Sequence, residues 1–214
     1  PDFTIHLGDL IDEGAENAAL MMREFSRIPG PRYHLLGNHD FFGPRPQVLR
    51  AFGLRQARYT FRYPGWQFVV LDGMEWSVNG GWPEDSRNYR EGARLLAQLK
   101  AAKAPQAQPW NGALGAKQLE WLRGHLRNAR RRGDRAIVFC HFPALAAATT
   151  PVHLLWDHSA LVQLLEAEPA TAAFFCGHDH RGGGATRNGI HYRTLPGLVE
   201  NPLEDGLIFV EAFS

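Results

Sequence analysis

Four apolar runs in this chain of 214 residues end in clusters of Asp, Asn and His. They read IHLGDLID, with Asp9 and Asp12; LLGNHD, with Asn38, His39 and Asp40; VFCHFP, with His141; and FFCGHDH, with His178 and His180. A carboxylate, an amide oxygen and several imidazoles form a mixed oxygen and nitrogen donor set. Such a set suits Mn²⁺, Fe or Zn²⁺ better than the all-oxygen sites of Mg²⁺ or Ca²⁺. Gly-Asp or Gly-Asn alone is ordinary turn chemistry, and a lone His-x-His is weak. Four such clusters, each closing an apolar run, are hard to produce by chance. Two divalent ions about 3.5–4 Å apart acidify a water, orient phosphorus for in-line attack and neutralise charge on its oxygens. Asp9 could bridge two ions, whereas Asn38 would supply a neutral oxygen that keeps the site attractive to a phosphate. Glycines at 8, 37 and 177 let the chain turn sharply after each run.

Something must bring the four clusters together, and the pattern of elements supplies it. Residues 2–7 read as a buried strand and 33–36 as a short one. Residues 58–63 and 66–72 form a hairpin around Pro64-Gly65. The runs 136–140 and 171–176 are continuously apolar, as strands buried on both faces should be. Residues 190–195 and 206–213 close the chain as further strands. Helices are expected at 15–28, through Leu20, Met21, Phe25 and Ile28, and at 87–103. Two more are expected at 115–131, with Leu119, Leu122 and Leu126 on one face, and near 157–167. In a buried α/β sheet the carboxyl ends of the strands open into one crevice where ligands bind. The region 73–115, rich in Trp, Gly, Asn and Pro, is the expected cap or substrate loop.

The ordered set Gly8-Asp9, Gly37-Asn38-His39-Asp40, His141 and Gly177-His178-Asp179-His180 resembles the calcineurin-like metallophosphoesterases along nearly the whole chain. The resemblance implies a single domain over 1–214 with an α/β fold, a two-sheet sandwich flanked by helices. It implies that Asp9 bridges two metal ions, that Asn38, His141 and His178 complete the second site, and that His180 serves the first. His39 would donate to the leaving oxygen or stabilise the transferring phosphoryl group, with Asp40 orienting it. The family's opening D-x-H block has no counterpart, since only eight residues precede Asp9. A parallel crossover needs roughly thirty residues. The block is therefore expected upstream of Pro1, and the first metal site is incomplete in this chain.

Within that family, WNGALGAKQLEWL (110–122), LDGMEWSVNG (71–80), HFPALAAATTPVHLLWDH (141–158) and GLVENP (197–202) resemble the manganese-dependent ADP-ribose/CDP-alcohol diphosphatases. Ala113 stands where that branch carries a second glycine. The implied reaction splits the pyrophosphate of a nucleoside diphosphate-linked small molecule with a metal-activated hydroxide, using two ions, Mn²⁺ before Fe or Zn²⁺. Asn111 and Trp110 are candidate substrate contacts. Rival readings are a cyclic-nucleotide phosphodiesterase or phosphomonoesterase of the same superfamily, and a non-catalytic metal- or nucleotide-binding protein.

Composition bounds these readings. Hydrophobic content of 44% and charged content of 21% are those of a globular domain. A net charge of +1 gives no footprint for nucleic acid or an anionic membrane, and the basic run at 127–135 reads as a solvated helix end. Cys140 and Cys176 read as reduced, buried thiols. The expected compartment is cytoplasmic, with a targeting segment left open, since the chain opens without Met. The remaining residues have ordinary readings: Asp12 as a cap or an orienting group, His6 and His34 as satisfied strand histidines, and His125 as helix surface. His153, His158 and His191 read as core or surface, and Trp76, Trp82 and Trp156 chiefly as core.

Overall fold

Apolar periodicity accounts for most elements of the computed structural model, which describes residues 1–12, 14–200 and 207–213. In chain order they are β1 (Thr4–His6), α1 (Ala15–Phe25), β2 (Arg32–His34), α2 (Arg45–Ala51), β3 (Tyr59–Tyr63), β4 (Trp66–Val70), α3 (Arg87–Ala101), α4 (Gly115–Arg132), β5 (Arg135–Phe139), α5 (His158–Ala167), β6 (Thr171–Cys176), β7 (Gly183–Arg187) and β8 (Ile190–Thr194). Short 3-10 turns cover Ala146–Ala148 and Pro151–His153. Helix starts have local causes. Ser86 accepts the Tyr89 amide at the start of α3. The first amides of α4, at Leu114 and Gly115, are held by the distant Asp157 carboxylate. Gly133, at φ 77°, ends α4, whose last turn carries Arg130, Arg131 and Arg132 against the helix dipole.

Strands β1 and β2 pair in parallel, and the other six form one sheet in the order β3-β4-β5-β6-β8-β7. Within it β4, β5, β6 and β8 run parallel, whereas β3 and β7 are antiparallel to their neighbours. The two sheets face each other. Phe3, before β1, packs within about 5 Å of Phe61 and Phe68, and Leu35, Phe68, Val70, Ile137, Phe139 and Phe175 fill the layer between. Helices α4 and α5 cover the outer face of the large sheet through Leu122, Leu126, Leu161 and Leu165, all fully buried. Each such side chain contributes roughly 1.5–3 kcal/mol by leaving water. Val48 of α2, Phe52 just after it and Ala18 of α1 pack with Leu36 beyond the small sheet. The sandwich with helical flanks is the expected α/β fold. Both thiols are free and buried.

The observed elements depart from the expected ones at four places. Helix α1 stops at Phe25, short of Ile28, and Leu20 is 47% exposed. Helix α2 has no counterpart among the expected elements; its prolines lie at or just before the first helical turn, where they forfeit no intrahelical bond. The glycines at 183 and 184 open strand β7, which also has no counterpart among the expected elements. Finally, residues 207–213 form no strand, and Leu207, Phe209 and Phe213 are exposed; residue 206 lies outside the described residues.

One largely buried carboxyl predicts a pH effect. Glu75 accepts from Gln118 at 2.7 Å and pairs with Arg58 at 3.2 Å. Burial first, then the Asp72 charge, pushes it up to about 7, against the pull of Arg58. A folded-state value above the unfolded one means that its stabilisation is complete below the ordinary Glu range and is lost as pH rises through 7. Glu75→Gln keeps an acceptor without the charge. Its melting temperature should therefore rise relative to the parent between pH 5 and 8.5, by roughly 2–4 °C for ~1 kcal/mol. A difference flat in pH would show that Glu75 does not titrate in this range.

Candidate metal centre

The carboxyl end of β1 turns at Gly8 and Asp9, both at positive φ (93° and 54°). That conformation is rare for Asp and must be held by its surroundings. Asp40 holds it. Its buried carboxylate accepts the amides of Asp9, Leu10 and Gly37 at 2.8–3.0 Å and that of Ile11 at 3.3 Å. Across the turn, Gly37 leaves room for the Asp9 carboxylate; a methyl at 37 would overlap its Oδ1. Oδ1 accepts the main-chain N–H of His39 at 2.9 Å, and Oδ2 lies 3.0 Å from Nε2 of His141.

His141 follows β5 and His178 follows β6, so the parallel register of those strands sets them side by side. His141 Nδ1 lies 2.8 Å from the Leu7 carbonyl. A carbonyl only accepts, so Nδ1 carries a proton and Nε2 is the nitrogen turned to Asp9 and His178, where it bears a second proton toward the Asp9 carboxylate or gives its lone pair to a cation. His141 Nε2 and His178 Nδ1 are 3.2 Å apart. The donor atoms of Asp9, His141 and His178 all lie within 4.8 Å of one another. Two ring nitrogens and a carboxylate oxygen converging in a buried space need a proton or a cation between them.

The electrostatics agree. Burial works to raise the Asp9 pKa, but the charge and hydrogen bond of His141 and the His39 amide hold it well below the usual carboxylate range. Burial likewise works to lower His141, and Asp9 and the Leu7 carbonyl outweigh it, so His141 is raised. His178 is driven well below the ordinary imidazole value, by burial and then by His141, which leaves it a neutral donor. His6, buried against the same cluster, is lowered to about 4 by burial and by His141, and its Nδ1 accepts the Gly8 amide.

Asn38 supplies the test of whether a metal fits. Its Oδ1 is buried and has no hydrogen-bond partner. An orphaned amide oxygen costs about 1–3 kcal/mol, which a coordinated cation would offset. The residues therefore fit a divalent ion of mixed oxygen and nitrogen preference.

The other expected site residues fall differently. His180 lies outside the three-residue cluster, about half exposed, with Nδ1 2.8 Å from Glu200 Oε1. His39 keeps an open ring, but its partner is Asp12, at 2.6 Å from Nδ1. Asp40 as the orienting group is thus corrected, because its oxygens are spent on the backbone of the 9–11 turn. Asn111 as a substrate contact is corrected too: it is fully buried and its Oδ1 sits 2.9 Å from His178 Nε2. Trp110 stays 40% exposed. Asp179 is buried and accepts from Thr149 and the Thr150 amide. His153, read as core or surface, packs edge-on against His178 with centroids 5.2 Å apart. His34 lies buried in β2, but its Nε2 has no hydrogen-bond partner, so it is not the satisfied strand histidine expected. Neither the Asp12–His39 pair nor the Asn111–His178 pair has a local sequence signal, since 27 and 67 residues separate the members.

Comparison with known proteins places this geometry. The model of the calcineurin-like phosphoesterase family matches residues 1–182. The manganese-dependent ADP-ribose/CDP-alcohol diphosphatase of Oryza sativa subsp. japonica is 29% identical over 94% of this chain and 70% of its own length. The Arabidopsis thaliana protein of the same name is 28% identical over 94% and 72%. A dimetal phosphatase from Danio rerio superposes with a TM-score of 0.82 at 27% identity, covering 93% of this chain and 73% of that one.

Proposed function

From the premise that this chain belongs to the calcineurin-like phosphoesterase family and is a metal-using hydrolase of phosphate esters, we propose that its substrates are nucleoside diphosphate-linked small molecules. ADP-ribose and CDP-alcohols are the expected examples, cleaved at the pyrophosphate, with two divalent ions and Mn²⁺ as the working metal. The observation that carries the reading is the convergence of Asp9, His141 and His178 beside an unpartnered Asn38 oxygen. Support for the substrate class comes from the two plant relatives named as diphosphatases for it.

Asp9, Asn38, His141 and His178 would hold an ion, with Asp9 and His180 offered to a second. Divalent ions bound there supply Lewis-acid polarisation of phosphoryl oxygens and a water acidic enough to attack at neutral pH. The chain's own residues do the rest. Leu7 and Asn111 fix the outer nitrogens of His141 and His178. Asp40 fixes the turn that presents the Asp9 carboxylate. His39, with Nδ1–H held by Asp12, keeps Nε2 toward the open side, where it can place a proton on the departing phosphate oxygen. The region 73–115 acts as a cap for the organic part of the substrate. It borders a cavity of about 750 Å³ lined in part by Arg45, Arg58, Glu75 and Trp82, which is within the size range of small-molecule sites but shares no lining residue with Asp9, Asn38, His141 or His178.

The test is initial-rate hydrolysis of ADP-ribose, CDP-choline, cyclic AMP and p-nitrophenyl phosphate, side by side with and without Mn²⁺, using the full product of the gene. The two pyrophosphates should lead by at least about tenfold in kcat/KM. A lead by cyclic AMP or by the aryl phosphate would replace the diphosphatase reading with a phosphodiesterase or phosphomonoesterase one. Bound metal without turnover of any would favour a binding protein. Among the described residues no helix is long and apolar enough to cross a membrane.

A further inference from the structure

Asn111 makes every hydrogen bond its side chain can direct in that space, and none of them reaches solvent. Its Nδ2 donates to the carbonyls of Gln106 at 3.1 Å and Val152 at 2.8 Å. Both partners are obligate acceptors, so the amide orientation is fixed and Oδ1 must face His178 Nε2, 2.9 Å away. An amide oxygen can only accept. The His178 proton therefore sits on Nε2, and the Nδ1 lone pair points at Asp9 and His141. The backbone of His178 is set for the same aim, at a positive φ of 68° that a non-glycine residue rarely adopts.

We propose that Asn111 is a positioning residue for metal binding: it locks His178 in the Nε2–H tautomer and thereby makes Nδ1 the ligand atom. The two carbonyl contacts extend the role. Gln106 belongs to the loop between α3 and α4, and Val152 to the 3-10 turn before α5. The backbone here leaves little slack: Trp156 donates to the Gly112 carbonyl at 2.8 Å, and a methyl at Gly112 would overlap the Gly73 carbonyl oxygen. One amide therefore joins the cap region to a metal ligand, and movement of the 104–114 loop is transmitted to Nδ1 of His178. Orienting partners of this kind contribute about 10–100-fold to metal affinity.

The proposal rests on the metal reading of the Asp9 cluster but not on the substrate, and three measurements separate the two. In the metal-free wild-type chain, long-range ¹H–¹⁵N spectra of the imidazoles, assigned by loss of a signal in His178→Gln, should show His178 protonated at Nε2. A proton on Nδ1 would overturn the proposal with no variant of Asn111 needed. Mn²⁺ titration by calorimetry should then show Asn111→Ala weakened about 10–100-fold. Asn111→Asp, which keeps the acceptor but loses both donors, should recover most of that affinity while melting lower than the parent. A merely structural amide would give the opposite pairing, with affinity falling in step with melting temperature in both variants. If His178→Gln loses Mn²⁺ but Asn111→Ala binds it as the parent does, the positioning role falls and the metal site stands. If His178→Gln also binds as the parent does, the metal reading falls with it.

Discussion

Asp9→Asn should leave a folded protein that binds Mn²⁺ poorly and turns over no substrate, with kcat/KM down by at least about 10³-fold, or roughly 4 kcal/mol. The substitution is close to isosteric, and Asn can still accept the His39 amide through Oδ1, so the turn at 8–9 keeps its bonds. What disappears is the charge. Among the described residues Asp9 is the one carboxylate in the His141–His178 cluster, and a neutral amide cannot compensate two ions or draw a cation into a buried space. Asp12→Asn is the control: that side chain is 84% exposed, touches the His39 ring and lies outside the cluster. Metal content by mass spectrometry should drop only in Asp9→Asn. Equal losses in the two variants would sink the assignment of Asp9 as the bridging ligand.

How much of this was legible in the sequence follows from the range of each interaction. Strands β5 and β6 are read from six or fewer consecutive apolar residues, because a strand buried on both faces needs no alternation. The four clusters at the ends of apolar runs named Asp9, His141 and His178, which the fold brings together, because donor chemistry is written in residue type. What those side chains lean on is written in three dimensions. Asp40 is adjacent to His39 in sequence, yet its carboxylate turns away to bond amides some thirty residues earlier. Asp12 looks like a helix cap and instead meets a histidine from another strand end. Asn111 lies in a loop whose composition suggests solvent, whereas its burial depends on the 3-10 turn at Pro151–His153. Helix α2 and strand β7 were hidden for the complementary reason: proline and glycine usually punctuate, and tertiary packing overrode them.

The His39–Asp12 pair yields the second large effect. His39→Ala should keep the parent's metal content and melting behaviour and lose about 10²–10⁴-fold in kcat, the range for removing a general acid. Metal should stay because the ring's partner is Asp12 and the only His39 bond to Asp9 runs from the main-chain N–H, which Ala retains. Asp12 acts through that ring. Its oxygen on Nδ1 orients the imidazole, so Asp12→Asn should cost turnover about tenfold in the parent and nothing once His39 is Ala. The loss should be largest on substrates with a poor leaving group and shrink on p-nitrophenyl phosphate, whose leaving group departs as the anion without needing a proton. Additive losses in the double variant would mean that Asp12 acts independently of His39. Loss of bound Mn²⁺ in His39→Ala would make His39 a ligand, and the proton donor would have to be sought among the groups that line the cap.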